Sequence, residues 1–165
     1  MGMVGCFCTA SSSDLIGLRD GSVAVEDYLY PDGGEGQPPY YVDVDKAWHG
    51  LHYLLTGQAD GGRPPQSWVI LGGQEFGSDV GFGPARFLTP DQVRTVAELL
   101  SKTDAERLAS RFDPADMARK NIYPEVIWER DGHDALEYVL ENYTHLQTFY
   151  QDASDRGDCV LQWIA

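Results

Sequence analysis

Basic residues are scarce in this chain. Twelve Lys and Arg stand against 26 Asp and Glu in 165 residues, a formal net charge of −14. Such a surface repels phosphate backbones, and no run of Lys and Arg makes a local basic patch, so nucleic acid is excluded as a partner class. Cysteine is sparse too. Cys6, Cys8 and Cys159 are odd in number and lack Cys-x-x-Cys spacing, which fits reduced thiols in a cytoplasmic protein. No stretch approaches the ~18 consecutive apolar residues of a membrane span. The N-terminus has no charged segment leading into an apolar run, so no signal peptide is expected. Met1-Gly2 departs from a myristoylation start, because Cys6 stands where Ser or Thr belongs. Gly-x-Ser-x-Gly and Gly-Lys-Ser/Thr are both missing, which removes the hydrolase elbow and the Walker phosphate loop.

What is present is the composition of a folded domain. Hydrophobic residues make up 42% of the chain, and four Trp, nine Tyr and six Phe argue against intrinsic disorder. A chain of this length is most simply one domain, residues 1–165, able to bury roughly 70% of its unfolded surface without metal or disulfide staples. No internal repeat occurs.

Apolar runs predict strands at Met3–Cys8, Tyr41–Val44, Trp68–Leu71 and Cys159–Ile164, with a short extended segment at Ala85–Leu88. Two Gly- and Pro-rich loops, Pro31–Pro39 and Gln58–Gln66, and a long loop from Gly72 through Gly83 separate them. Helix starts are marked by Ser11–Asp14, by Thr89-Pro90-Asp91-Gln92 as a capping box with Pro at its first position, by Asp104, and by Asp113-Pro114. The longest helix is predicted over Asp131 to about Ala153, with apolar residues at spacings of three and four. Strands at both ends of the chain place both in one central sheet. The fold class is α+β: a small mixed or antiparallel sheet with packed helices, braced by a long C-terminal amphipathic helix and closed by a final strand.

The densest stretch is Asp43–Gly57. Asp45 is the expected cap of a helix that Gly57 stops. On a wheel, Ala47, Trp48, Leu51, Leu54 and Leu55 form an apolar stripe, and Lys46, His49, His52, Tyr53 and Thr56 fall opposite. His49 and His52 are neighbours on that face. Two imidazoles so placed are half of a metal site or one acid or base. The plainer reading has them bonding neighbouring loops to fix the helix. The second constellation is Gly72-Gly73-Gln74-Glu75 through Arg86, where Arg86 can grip a carboxylate or phosphate or simply pair with an acid. No third metal ligand stands out, so the sequence assigns no metal and no cofactor.

The segments Met1-Gly2-Met3, Asp45–Gly57 with its Lys-Ala-Trp-His-Gly-Leu-His block, and Leu71-Gly72-Gly73 recur in a known order. So do Gly83–Thr89, Phe112-Asp113-Pro114, Ile122-Tyr123-Pro124, Phe149-Tyr150 and Val160–Ile164. In these the chain resembles the bacterial YfbM-like family along essentially its whole length. The resemblance implies a cytoplasmic bacterial α+β domain of unknown function and carries over no catalytic residues.

Two functional expectations follow. The first is an acidic binding or partner-masking protein, immunity-like, directed at a basic protein. The second is a small-molecule-binding domain or enzyme for a small anionic ligand, with Lys46, Trp48, His49, His52, Tyr53, Glu75 and Arg86 around one pocket. Convergence of the histidines and Arg86 on one cleft is the condition for the second reading.

Overall fold

The computed structural model describes residues 2–165, so the Met1 position of the start motif lies outside the described residues. Strands Gly5–Ala10 (β1), Val42–Asp43 (β2), Gln74–Asp79 (β3), Pro84–Leu88 (β4) and Cys159–Ile164 (β5) form one sheet in the order β2-β1-β5-β4-β3. Every pairing is antiparallel. The two end strands lie side by side as expected, in register from Gly5 opposite Ile164 to Ala10 opposite Cys159.

Both faces of β1 and β5 are covered, which is why their sequences are almost continuously apolar rather than alternating. Helices Ser12–Asp20 (α1) and Val25–Leu29 (α2) cover one face, packing Leu15, Leu18, Val25 and Leu29 on Cys6, Cys8, Leu161 and Trp163. A thicker helical layer covers the other. It comprises Trp48–Thr56 (α3), Pro90–Ser101 (α4), Ala105–Ala109 (α5), Pro114–Arg119 (α6), Ile127–Asp131 (α7) and the long His133–Arg156 (α8). Its Leu51, Leu54, Val96, Leu146 and Tyr150 share a core with Phe7 and Val160. No helix among the described residues is long and apolar enough to cross a membrane.

Local signals hold where side chain meets backbone nearby. Thr89 and Gln92 form the capping box, and Ser11, Asp104 and Asp113 each accept a backbone N–H three residues on. Gly57 ends α3 at φ +74°, a conformation open to glycine at no steric cost. Helix α8 begins two residues later than expected and runs three further, and α7 was not anticipated.

Two expectations are corrected. Trp68–Leu71 is not a strand: Gln66–Trp68 is a 3-10 turn, and the chain turns again through Leu71. The expected loop after Gly72 instead holds the edge strand β3, paired with β4. The cause is a single buried residue of β5. Gln162, 1% exposed, donates through Nε2 to the carbonyls of Trp68 (2.6 Å) and Val69 (3.0 Å), and its Oε1 accepts the Gly72 N–H (2.9 Å). The Tyr150 hydroxyl donates to Val69 O (2.7 Å) and lies 2.8 Å from Gln162 Nε2. Side chains thus supply what a neighbouring strand would, and the apolar run buries as a turn.

Gln162→Leu keeps the volume and strips these partners. It is expected to cost on the order of 2–5 kcal/mol, because the buried Trp68 carbonyl and Gly72 N–H lose their partner while Val69 O keeps only Tyr150. Urea unfolding measures this, and a loss below ~1 kcal/mol would contradict the role given to Gln162.

Candidate functional site

Helix α3 carries the densest sequence signals, and its polar face is not exposed. A 3-10 turn, Asp45–Ala47, precedes it. Asp45 is not its cap: it sits at φ +45°, and its carboxylate accepts the Tyr138 hydroxyl of α8 (2.6 Å). Lys46 donates its N–H to the same hydroxyl (3.0 Å). Trp48 stacks on His49 at 4.7 Å and donates Nε1–H to Met3 O. Gly50 lies under the Trp128 indole, where a Cβ would come within 2.5 Å, so only glycine fits without moving that ring. Of the residues the wheel places outside, His49 is met by the 58–66 loop and the segment around Tyr123, Tyr53 is met by Asp116 of α6, and Lys46 stays exposed.

His49 is spent on those two segments. Its Nε2–H donates to Ala59 O (2.8 Å), and its Nδ1 accepts the Tyr123 N–H (2.9 Å). These bonds define a neutral ring, and burial lowers its pKa in the same sense. His52 is fully buried, and neither ring nitrogen has a hydrogen-bond partner among the described residues. Burial first, and then the neighbouring His49, push its pKa down to about 4. Tyr53 is buried as well, its hydroxyl donating to Asp116 (2.7 Å).

Glu75 and Arg86 are opposite one another in the β3–β4 ladder and form a 2.6 Å ion pair. They line a cavity of about 130 Å³ with Ile70, Phe82 and Trp163, to which no residue of α3 contributes. Tyr53 lines a different cleft, and none of Lys46, Trp48, His49 or His52 lines either. The structure therefore divides the seven expected residues instead of gathering them. The 66–71 turns separate the two groups: α3 packs on Gln66–Trp68, while Ile70 and Leu71 face the ion pair. Among the described residues, no three His, Cys, Asp or Glu group as metal ligands. Cys6, Cys8 and Cys159 are all buried and unpaired. Burial pushes the Cys6 thiol up to about 11, against nucleophilic use.

A different surface combines charge, an exposed apolar residue and an aromatic groove. Charge is partitioned along the chain. Residues 1–45 carry a net −7, residues 46–124 balance nine acids with nine bases, and residues 125–165 carry nine acids against two arginines, again −7. In the last block Glu125, Glu129, Asp134, Glu137, Glu141, Asp152 and Asp155 are exposed, most of them along α8. Val126 stands 67% exposed between two of these acids. Beside α8, the segment entering β2 forms the other wall of a groove of about 470 Å³, lined by Tyr40, Tyr41, His145, Thr148, Asp152 and Arg156 among others.

Tyr40 is the unusual member. It follows Pro38-Pro39, holds φ +52°, and is 61% exposed. A bulky aromatic in the left-handed region is rare and costs roughly 1–3 kcal/mol. Its ring lies 3.6 Å from the Arg156 guanidinium, which Asp158 also holds at 2.8 Å. The groove thus presents a rigid aromatic and a pinned arginine next to a carboxylate-rich helix. Aromatic and Arg anchors with a polar rim are the composition of protein-binding surfaces.

The architecture is that of an α+β domain with an antiparallel sheet between unequal helical layers. A profile of a family described as a domain of unknown function (DUF1877) matches residues 1–163, and the chain belongs to that family. The structure is similar to that of YfbM from Escherichia coli, a protein of unknown function. The TM-score is 0.75 at 22% identity, over 98% of this chain and 99% of that one. At that identity the likeness speaks for the fold. Comparison with curated proteins gives no match.

The two histidines make opposite predictions. His49→Leu strands Ala59 O and the Tyr123 N–H and is expected to cost on the order of 1–3 kcal/mol. His52→Leu removes two buried nitrogens that make no well-formed hydrogen bond and have at most a weak contact with the Gly61 backbone, and is expected to cost less than His49→Leu at pH 7. The folded pKa of His52, about 4, lies below the ~6.5 of an unfolded histidine. The unfolded chain therefore takes up this proton first, and stability falls as pH drops from ~6.5 toward 4. His52→Leu flattens that fall relative to wild type. Urea unfolding at pH 7 and 5.5 checks both, and equal damage by the two substitutions at pH 7, or a His52→Leu slope no flatter than wild type, would contradict the assignment.

Proposed function

We propose that this protein is a binding protein of the bacterial cytoplasm that captures and masks a basic protein partner, an immunity-like role. The observation that carries this reading is the groove beside α8, where Tyr40 is displayed in a strained conformation next to a helix with exposed carboxylates along its length. Long-range attraction between this face and a basic surface accelerates encounter, and the Tyr40–Arg156 pair offers a rigid anchor at the rim. The buried reduced thiols fit an intracellular setting. The rival small-molecule reading loses its expected pocket, because Arg86 is already paired and the α3 histidines face loops.

The test is affinity capture from bacterial extract with the intact chain as bait, at low and physiological salt. A basic protein is expected to be retained, and Glu137→Lys with Glu141→Lys is expected to abolish retention without changing the unfolding midpoint. Tyr40→Ser is expected to weaken retention at least tenfold. A wild-type bait that holds no protein at either salt, or a charge-reversed bait that holds the same protein equally well, sinks the proposal.

A further inference from the structure

The acidic character of the chain has an exception at the C-terminal end of α3. There the 57–66 loop, α3 and the end of α5 enclose a cleft of about 540 Å³, lined in part by Tyr53, Gln58, Arg63, Gln66 and Arg111. That volume is within the ~300–1,000 Å³ of small-molecule sites. No carboxylate lines it, in a chain with 26 of them.

The nearest charges are mostly compensated, although Asp113, whose carboxylate accepts the Asp116 N–H, also acts on Tyr53. The last carbonyls of α3 would bring negative potential, but Arg111 Nη1 donates to Leu54 O (3.1 Å) and Leu55 O (3.3 Å), and Lys120 Nζ donates to Gly57 O (3.0 Å). Asp116, which accepts the Tyr53 hydroxyl, is paired with Arg119 (3.0 Å) and Lys120 (2.7 Å). Asp60 is exposed on the loop and does not line the cleft. Two guanidiniums remain with donors in hand. Arg63 has no side-chain hydrogen bond or ion pair among the described residues, and Arg111 is fixed through one nitrogen and keeps the others free.

From this we propose a binding site for a small oxyanion, a carboxylate or phosphate group on a metabolite-sized molecule. Arg111 is the preorganised anchor, because its contacts to the α3 carbonyls hold the guanidinium in place before the ligand arrives. Arg63 closes from the loop and makes the second fork-like contact. The amides of Gln58 and Gln66 donate to the rest of the ligand. The site is independent of the α8 face and holds or fails separately from it.

Titration of the 15N-labelled chain with inorganic phosphate, and separately with acetate, tests it, with ionic strength held constant by potassium chloride. Saturable shifts are expected at the amides of Gly57, Gln58, Gly62 and Gln66 with at least one of the two anions. Arg63→Gln is chosen because the Arg63 side chain makes no hydrogen bond or ion pair, and its carbonyl, which accepts the Ser67 N–H, is kept. It is expected to weaken the effect at least fivefold, whereas Lys102→Gln, on the exposed Glu98 pair, leaves it unchanged. Saturation by phosphate alone or by acetate alone identifies which oxyanion is preferred. Shifts that do not saturate for either anion, that chloride reproduces, or that Arg63→Gln and Lys102→Gln reduce equally would overturn the proposal.

Discussion

The fold depends on one buried amide. Gln162 sits in the middle of β5 and serves as a strand neighbour for a segment that has none. Its bonds, with the Tyr150 hydroxyl, satisfy the backbone of the 68–72 turns inside a dry core, where an unmet polar group costs more than a made bond returns. Those turns give α3 and α4 a surface to pack on and deliver the chain to β3. Replacing the amide by a strand would need another sheet edge, and the β4 edge is already taken by β3.

The same economy explains the histidine-rich helix. His49 is a double-ended connector between two loops, Trp48 is stacked on it and bonded to Met3, and Gly50 makes room for Trp128. The block with the most chemistry in its side chains is a joint. The zero net charge of residues 46–124 between two blocks of −7 gives the molecule two electrostatic characters in one chain.

How much of this was legible depended on distance along the chain. The Thr89-Pro90-Gln92 capping box, the Gly57 stop and the pairing of end strands could be read, because each is set by neighbours in sequence or by continuous apolar character. Trp68–Leu71 could not be read as turns, since four apolar residues fit either state and the deciding amide is 90 residues away. The wheel for α3 was sound as geometry, but polar residues on its far side were covered by loops whose paths periodicity does not encode. Arg86 could be read as paired to an acid, yet not to Glu75 as its cross-strand partner, because β3 was hidden in a glycine-rich run. The left-handed Tyr40 left only a weak trace, an aromatic directly after two prolines. The charge partition was visible in the sequence throughout and needed only counting by block.

The proposed partner-binding surface is the acidic α8 face with its aromatic groove, and the histidine block of α3 serves it only as architecture. Hydroxyl-radical footprinting of the chain alone and with its captured partner measures this directly. The account predicts that Tyr40, Tyr41, Val126 and His145 become protected, while Phe82, at the far hairpin, keeps its reactivity. Protection confined to Phe82 and its surroundings, with Tyr40 unchanged, would contradict it.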